Sequence, residues 1–201
     1  MVISNSAARA ILPNNFEAIF SRATNLSFLG TENSTDISTV NFNPGSGSWS
    51  LYNQTGSELL FQEAILNSVQ FATGTVTVLN TVLNGESVTS SATLNVDWYL
   101  GAHVISKDHA SYDIGNATCT IFSTSTAENT IWKWSGSGWG SASTSQITTT
   151  TDSGDATGTI PQPGTDGAIR IREYSATSTT STYYKYNLQI TAAGFSNYSY
   201  D

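Results

Sequence analysis

This chain of 201 residues has one cysteine, Cys119. No internal disulfide can form, so its stability has to come from a buried core rather than from covalent staples. Charge is scarce as well. Charged residues make up 11% of the chain, against about 25% in an ordinary soluble domain. Seven of them are Lys or Arg, and the net charge is −8. Proteins that bind nucleic acid or anionic membranes present clustered Lys and Arg, so both partners are argued against. The tightest basic pair is Arg170 and Arg172, at strand spacing, where surface salt bridges are the expectation. No apolar run approaches the roughly 18 residues of a membrane span. The N-terminus, "MVISNSAARAILPNNFEAIF", lacks the basic and apolar regions of a secretory signal. Synthesis in a cytosol is therefore expected.

Catalytic signatures are missing too. There is no G-x-S-x-G elbow, no phosphate-cradling Gly-Lys-Ser/Thr loop, no H-E-x-x-H and no paired Cys motif. His103, Asp108, His109 and Asp113 form the densest titratable cluster, "HVISKDHASYD". A metal needs three or four converging ligands, and a polar loop accounts for this spacing better. "DSGDATG" (152–158) with Asp166 could supply oxygen ligands to calcium, yet it lacks the D-x-D-x-D-G arrangement. Glu58 and Glu63 are the nearest approach to paired carboxylates outside loops, and nothing places them across a cleft. The expectation is a non-enzymatic protein with no cofactor and no metal.

What fills the composition is hydroxyl. Ser and Thr, 29 of each, account for about 29% of the chain, and aromatics reach 11%. Thr suits strands, while Ser, Gly and Asn suit turns; disordered chains are poor in aromatics. Strand-like segments recur at short intervals: 37–43, 48–52, 74–83, 86–100, 117–125, 129–134, 158–160, 168–174 and 182–192. Asn84-Gly85 between two such runs is a strong hairpin signal. Residues 6–22 read as helix around a break at Pro13, and 57–71 fit helix and strand about equally. No fixed-period repeat stands out. The fold class expected is mostly β, an antiparallel β-sandwich or jelly roll, with one or two short helices near the N-terminus. Residues 1–30 would form an arm and 31–201 a single domain.

Residues 130–143, "TIWKWSGSGWGSAS", hold three of the five Trp. On a strand Trp132 and Trp134 share a face, and a turn at Ser135–Gly138 sets Trp139 opposite Trp134. The indoles can pack within the subunit, meet a neighbouring subunit, or offer a sugar-stacking platform; Tyr184 and Tyr186, which share a strand face, raise the same choice. Natural sheets protect their edges with Lys, other charges and Pro, and these strand regions hold almost none, which points to a permanent assembly.

"IWKWSGSGW" resembles short segments of tailed-bacteriophage head-decoration, tail and fibre proteins. The Ser/Thr/Gly/Asn-rich, weakly charged style of the whole chain is similar. The resemblance implies a virion protein made in the host cytoplasm, present in several copies. Its partners would be its own copies and other virion proteins. A carbohydrate-binding β-sandwich is the alternative, with Trp132, Trp134, Trp139, Tyr184 and Tyr186 as the aromatic contact surface for a glycan.

Overall fold

The computed structural model describes residues 2–3, 8–10, 19–20, 25–28, 36–38, 41–42, 49–53, 59–62, 65–108, 112–124, 130–140, 143, 146–151, 158–162 and 164–200. Among them the protein is β throughout, with no helix. The chain divides into two compact units, Met1–Asp97 with Tyr174–Tyr183, and Trp98–Glu173 with Tyr184–Asp201.

The first unit is wound as successive coils. The first coil holds β1 (Val2–Ile3) and β2 (Ala8–Ala10); the second holds β3 (Ile19–Phe20), β4 (Asn25–Phe28) and β5 (Asp36–Ser38). The third holds β6 (Asn41–Phe42), β7 (Trp49–Asn53) and β8 (Leu59–Gln62), and the fourth β9 (Ile65–Asn67) and the long β10 (Val69–Leu79). The fifth holds β11 (Val82–Asn84), β12 (Ser87–Val88) and β13 (Ala92–Tyr99). Equivalent strands pair in parallel along three ladders. One runs β1-β3-β6-β9-β11, a second β2-β4-β7-β10-β12, and a third β5-β8-β10-β13. This is the geometry of a β-solenoid.

The antiparallel expectation therefore does not hold here, and the Asn84-Gly85 hairpin is replaced by a corner. A type I′ turn needs positive φ at both central residues. Gly85 has it, at 73°, and Asn84 does not. A single left-handed residue turns the chain from one ladder to the next without reversing it. Ser68 (52°), Gly74 (75°) and Asn80 (47°) do the same at the other corners of the fourth coil. Each of these three donates its backbone N–H to the fifth coil: Ser68 to Asn84 O (2.7 Å), Gly74 to Ser91 O (2.9 Å) and Asn80 to Asp97 O (3.0 Å). Gly74 is also pressed on the third coil, where a Cβ would stand 2.4 Å from Asn53 O.

The interior of the coils is apolar and stacked in register. Leu51 lies under Phe71, and Phe71 under Val88. Phe61, Val78 and Val96 align on the third ladder, as do Leu59, Val76 and Leu94. Of these nine, all but the half-buried Val88 are buried, with Phe61 and Phe71 at 0% exposure. Residues 59–62, 65–67 and 69–71, inside the segment that fitted helix and strand equally, are strands. Within the helix expected over 6–22, Ala8–Ala10 and Ile19–Phe20 are extended; its remainder lies outside the described residues.

The second unit contains β14 (Thr118–Ser123), β15 (Ile131–Lys133), β16 (Gln146–Thr150), β19 (Tyr186–Thr191) and β20 (Tyr198–Tyr200). β17 (Ile169–Ala176) runs into the segment shared with the first unit, where it pairs antiparallel with β18 (Ser181–Tyr183). Here the pairing is antiparallel, as expected: β16-β14-β19-β20 form one sheet, and β15 pairs with β17. Cys119, Ile121, Ile131 and Ile169 join the two sets of strands in one buried cluster. The Tyr186 hydroxyl donates from β19 toward Thr130 O (3.1 Å) and Arg172 O (2.7 Å).

Phe61→Ala removes a fully buried ring from the middle of a ladder and is expected to cost about 3–5 kcal/mol in urea unfolding. Val82→Ala, at a residue 50% exposed, should change stability by well under 1 kcal/mol. Equal losses at the two positions would refute the stacked-coil core.

Candidate functional site

The sequence-predicted aromatic residues all fall in the second unit. Trp134 pairs with Trp139 in an antiparallel bridge across Ser135–Gly138. Ser135 closes the turn twice on Gly138 O, with its N–H at 3.0 Å and its Oγ at 3.2 Å. Gly136 has φ 83°, which supplies the left-handed residue the tight loop requires. The two indoles meet edge to face, centroids 5.3 Å apart at 82°. Trp139 also stacks on Tyr99 at 6.0 Å and 23°. Both indoles are half-buried, and Trp134 Nε1 and Trp139 Nε1 are buried with no hydrogen-bond partner among the described residues. Such groups cost about 1–3 kcal/mol each, so ring packing has to hold the cluster together.

Trp132 occupies a different environment. It lies opposite Arg170 on β17, whose guanidinium sits 4.2 Å from the indole centroid. Arg172, two residues on and on the same face, reaches the ring at 5.1 Å. Arg170 is 5% exposed. The pair expected from the sequence to lie at the surface shares a cation–π stack on one indole, with Arg170 buried. Lys133, pointing the other way, donates its Nζ to Thr148 O at 2.9 Å.

Tyr184 is buried and Tyr186 half-buried, with its hydroxyl engaged on two carbonyls, while Tyr183 is exposed and meets Tyr174 at 5.3 Å. The five aromatic residues therefore do not form one surface. Trp134 and Trp139 join Tyr99, Trp132 joins the two arginines, and Tyr186 ties strands together. Sequence reasoning missed Tyr99, and it missed Trp98, whose indole N–H donates to the Glu173 carboxylate. Both contacts span long sequence separations with no local motif to signal them.

Of the titratable cluster, His103 Nε2 and Asp113 Oδ1 come together at 2.7 Å, with side chains 53% and 35% exposed. An ion pair at that exposure contributes about 0–1 kcal/mol. Asp108 is exposed, and His109 lies outside the described residues, as do Asp152, Asp155, Glu58 and Glu63. No group of three or more His, Cys, Asp and Glu placed to hold a metal occurs among the described residues. No described helix is long and apolar enough to cross a membrane. Comparison with known proteins finds no matching family model, and neither a curated protein nor a solved structure is significantly similar.

Cys119 is fully buried, and burial pushes its thiol from 9.0 up to about 11. Below pH 9 the thiol is protonated in both the folded and unfolded chain. Between pH 9 and 11 the unfolded chain ionises first, so the cysteine's share of stability is lost as pH rises through that window. Cys119→Ala should flatten the fall in urea midpoint over pH 9–11 relative to the wild type. The native thiol should also resist a disulfide reagent at pH 8 until the chain is unfolded.

Trp139→Ala removes both the edge-to-face and the stacked contact. It is expected to cost about 1–3 kcal/mol in equilibrium unfolding and to abolish the near-ultraviolet dichroism of the coupled indoles. A neutral effect on both readouts would mean the hairpin is not packed as described.

Proposed function

We propose that this protein is a non-enzymatic structural or accessory component of a virus particle of the tailed-bacteriophage kind, assembled with its own copies and with other virion proteins. The observation that carries this reading is the state of its sheet edges. β11, β16 and β20 each stand last in their sheets, and β12 pairs with β10 alone among the described strands. Their sequences, VLN, QITTT, YSY and SV, contain no Lys, Arg or Pro, whereas the terminal strands of the largest sheet, β15 (IWK) and β2 (ARA), carry one cation each. On β16, Gln146 O and Thr148 O are taken by Ser143 Oγ and Lys133 Nζ, so β11, β12 and β20 carry the argument: edge rows without such protection template association with another chain, and a solenoid needs its terminal coils covered to stay soluble. Subunits fixed in a particle would cover them. We read the second unit, with its four-stranded sheet tied to β15 and β17 through Tyr186, as a small sandwich of the kind such assemblies present.

The test is the mass of the purified protein by light scattering after size exclusion at micromolar concentration. A trimer or larger closed oligomer is expected. Val82→Lys and Tyr198→Lys, at edge positions 50% and 58% exposed, should shift the mass toward the monomer while circular dichroism stays unchanged. A wild-type monomer would sink self-association.

A further inference from the structure

The outward face of the sheet β16-β14-β19-β20 is unlike its edges. Cys119 and Ile121 point from β14 into the core, so Thr118, Thr120 and Phe122 point away from it. Register extends these positions into rows. Thr118 lies between Thr150 and Thr191; Thr120 lies between Thr148 and Gln189, which is followed by Ser199 on β20. Phe122 lies between Gln146 and Asn187. None of the ten side chains on this face carries a charge, and every one is exposed or half-buried.

The spacing makes the face a lattice. Neighbouring strands lie about 4.8 Å apart, and alternate residues along a strand about 6.8 Å apart. Threonine holds few χ1 rotamers, so its hydroxyls and methyls stay near those lattice points; Thr120 Oγ1 and Thr148 Oγ1 lie 3.3 Å apart. An anionic partner would meet no cationic side chain of these rows, the Lys133 ammonium at the β16 edge being held by Thr148 O at 2.9 Å, and a cationic partner no carboxylate. An apolar partner would bury many hydroxyls and amides without partners, at a cost of about 1–3 kcal/mol each. A chain of uncharged sugars suits all three conditions, because its hydroxyls can both donate and accept along the rows while an apolar ring face rests on Phe122.

We propose that this threonine-lined face binds a neutral polysaccharide, at a site separate from the tryptophan hairpin; its central rows lie on β14 and β19, and its outer rows on the edge strands β16 and β20. Electrophoresis of the full chain through native gels containing dextran, mannan or a mixed-linkage β-glucan tests it, with alginate as the anionic control. The wild type should be retarded by at least one neutral polymer and not by alginate. Thr120→Glu combined with Gln189→Glu puts two carboxylates at the centre of the rows and should weaken retardation at least tenfold. Thr120→Ser should retain it, and Trp139→Ala, on the hairpin, should also retain it. Circular dichroism of each variant checks that the fold persists.

Three results would overturn the proposal: no retardation by any neutral polymer, retardation undiminished in the double variant, or preferential retardation by alginate. A double variant that changes the light-scattering mass while no neutral gel retards the wild type would also overturn it, and would make the face a contact between copies. The readout is migration rather than mass, so loss of the assembly reading leaves this site standing, and the reverse holds too.

Discussion

The first unit depends on keeping successive coils in register. Each strand finds its partner one coil away. A slip of a single residue would move every inward side chain to the outside. The corners enforce the register from the backbone. Ser68, Gly74 and Asn80 adopt left-handed φ and bond across to the fifth coil, so the turning residues themselves contribute hydrogen bonds between coils. Gly74 adds a steric limit, since its backbone approaches Asn53 more closely than any side chain would allow. The aligned columns through Phe71 and through Phe61 then fill the interior.

A chain with so few charges and so many hydroxyls still builds buried cores, because the hydroxyls are matched in place. Asn95 Nδ2 donates to Thr77 Oγ1 and Ser175 Oγ donates to Asn95 Oδ1, making a polar chain in the first unit. In the second unit Thr151 Oγ1 accepts from Ala117 N and donates to Ile114 O, and Thr149 Oγ1 donates to Gly167 O. Threonine can bond and still fit a pleated surface, so buried polar positions cost little here.

Strand positions were legible in the sequence, and the parallel direction of the first unit was not. Alternation and β-branched residues marked β7, β14, β17 and β19 to within a few residues, while the runs 74–83 and 86–100 overlapped β10 and β13 with their starts five and six residues off, and those two strands bury side chains on both faces. Parallel and antiparallel ladders share that alternation, so the runs 74–83 and 86–100 read equally well as a hairpin or as stacked neighbours. Coil length hid the repeat. Val2 pairs with Ile19, Ile19 with Asn41, Asn41 with Ile65 and Ile65 with Val82, offsets of 17, 22, 24 and 17 residues. The Trp134–Trp139 pairing was legible because its loop is local. The Arg170–Trp132–Arg172 stack was not, since it joins strands far apart in the chain.

The first unit is also discontinuous along the chain. Its segment 174–183, whose Ser175 bonds Asn95, follows the whole of residues 98–173. On a ribosome adding about 5–20 residues per second, that delay is about 4–15 seconds. Through this interval the nascent coils would stand with Asn95 and its neighbours waiting for their last strand pair. A chain whose open ladder must survive for seconds during translation gains from coil contacts only about 20 residues apart, because loops that short close in well under a millisecond. The coils can therefore zip as they emerge, leaving one late docking event as the slow step in making this protein.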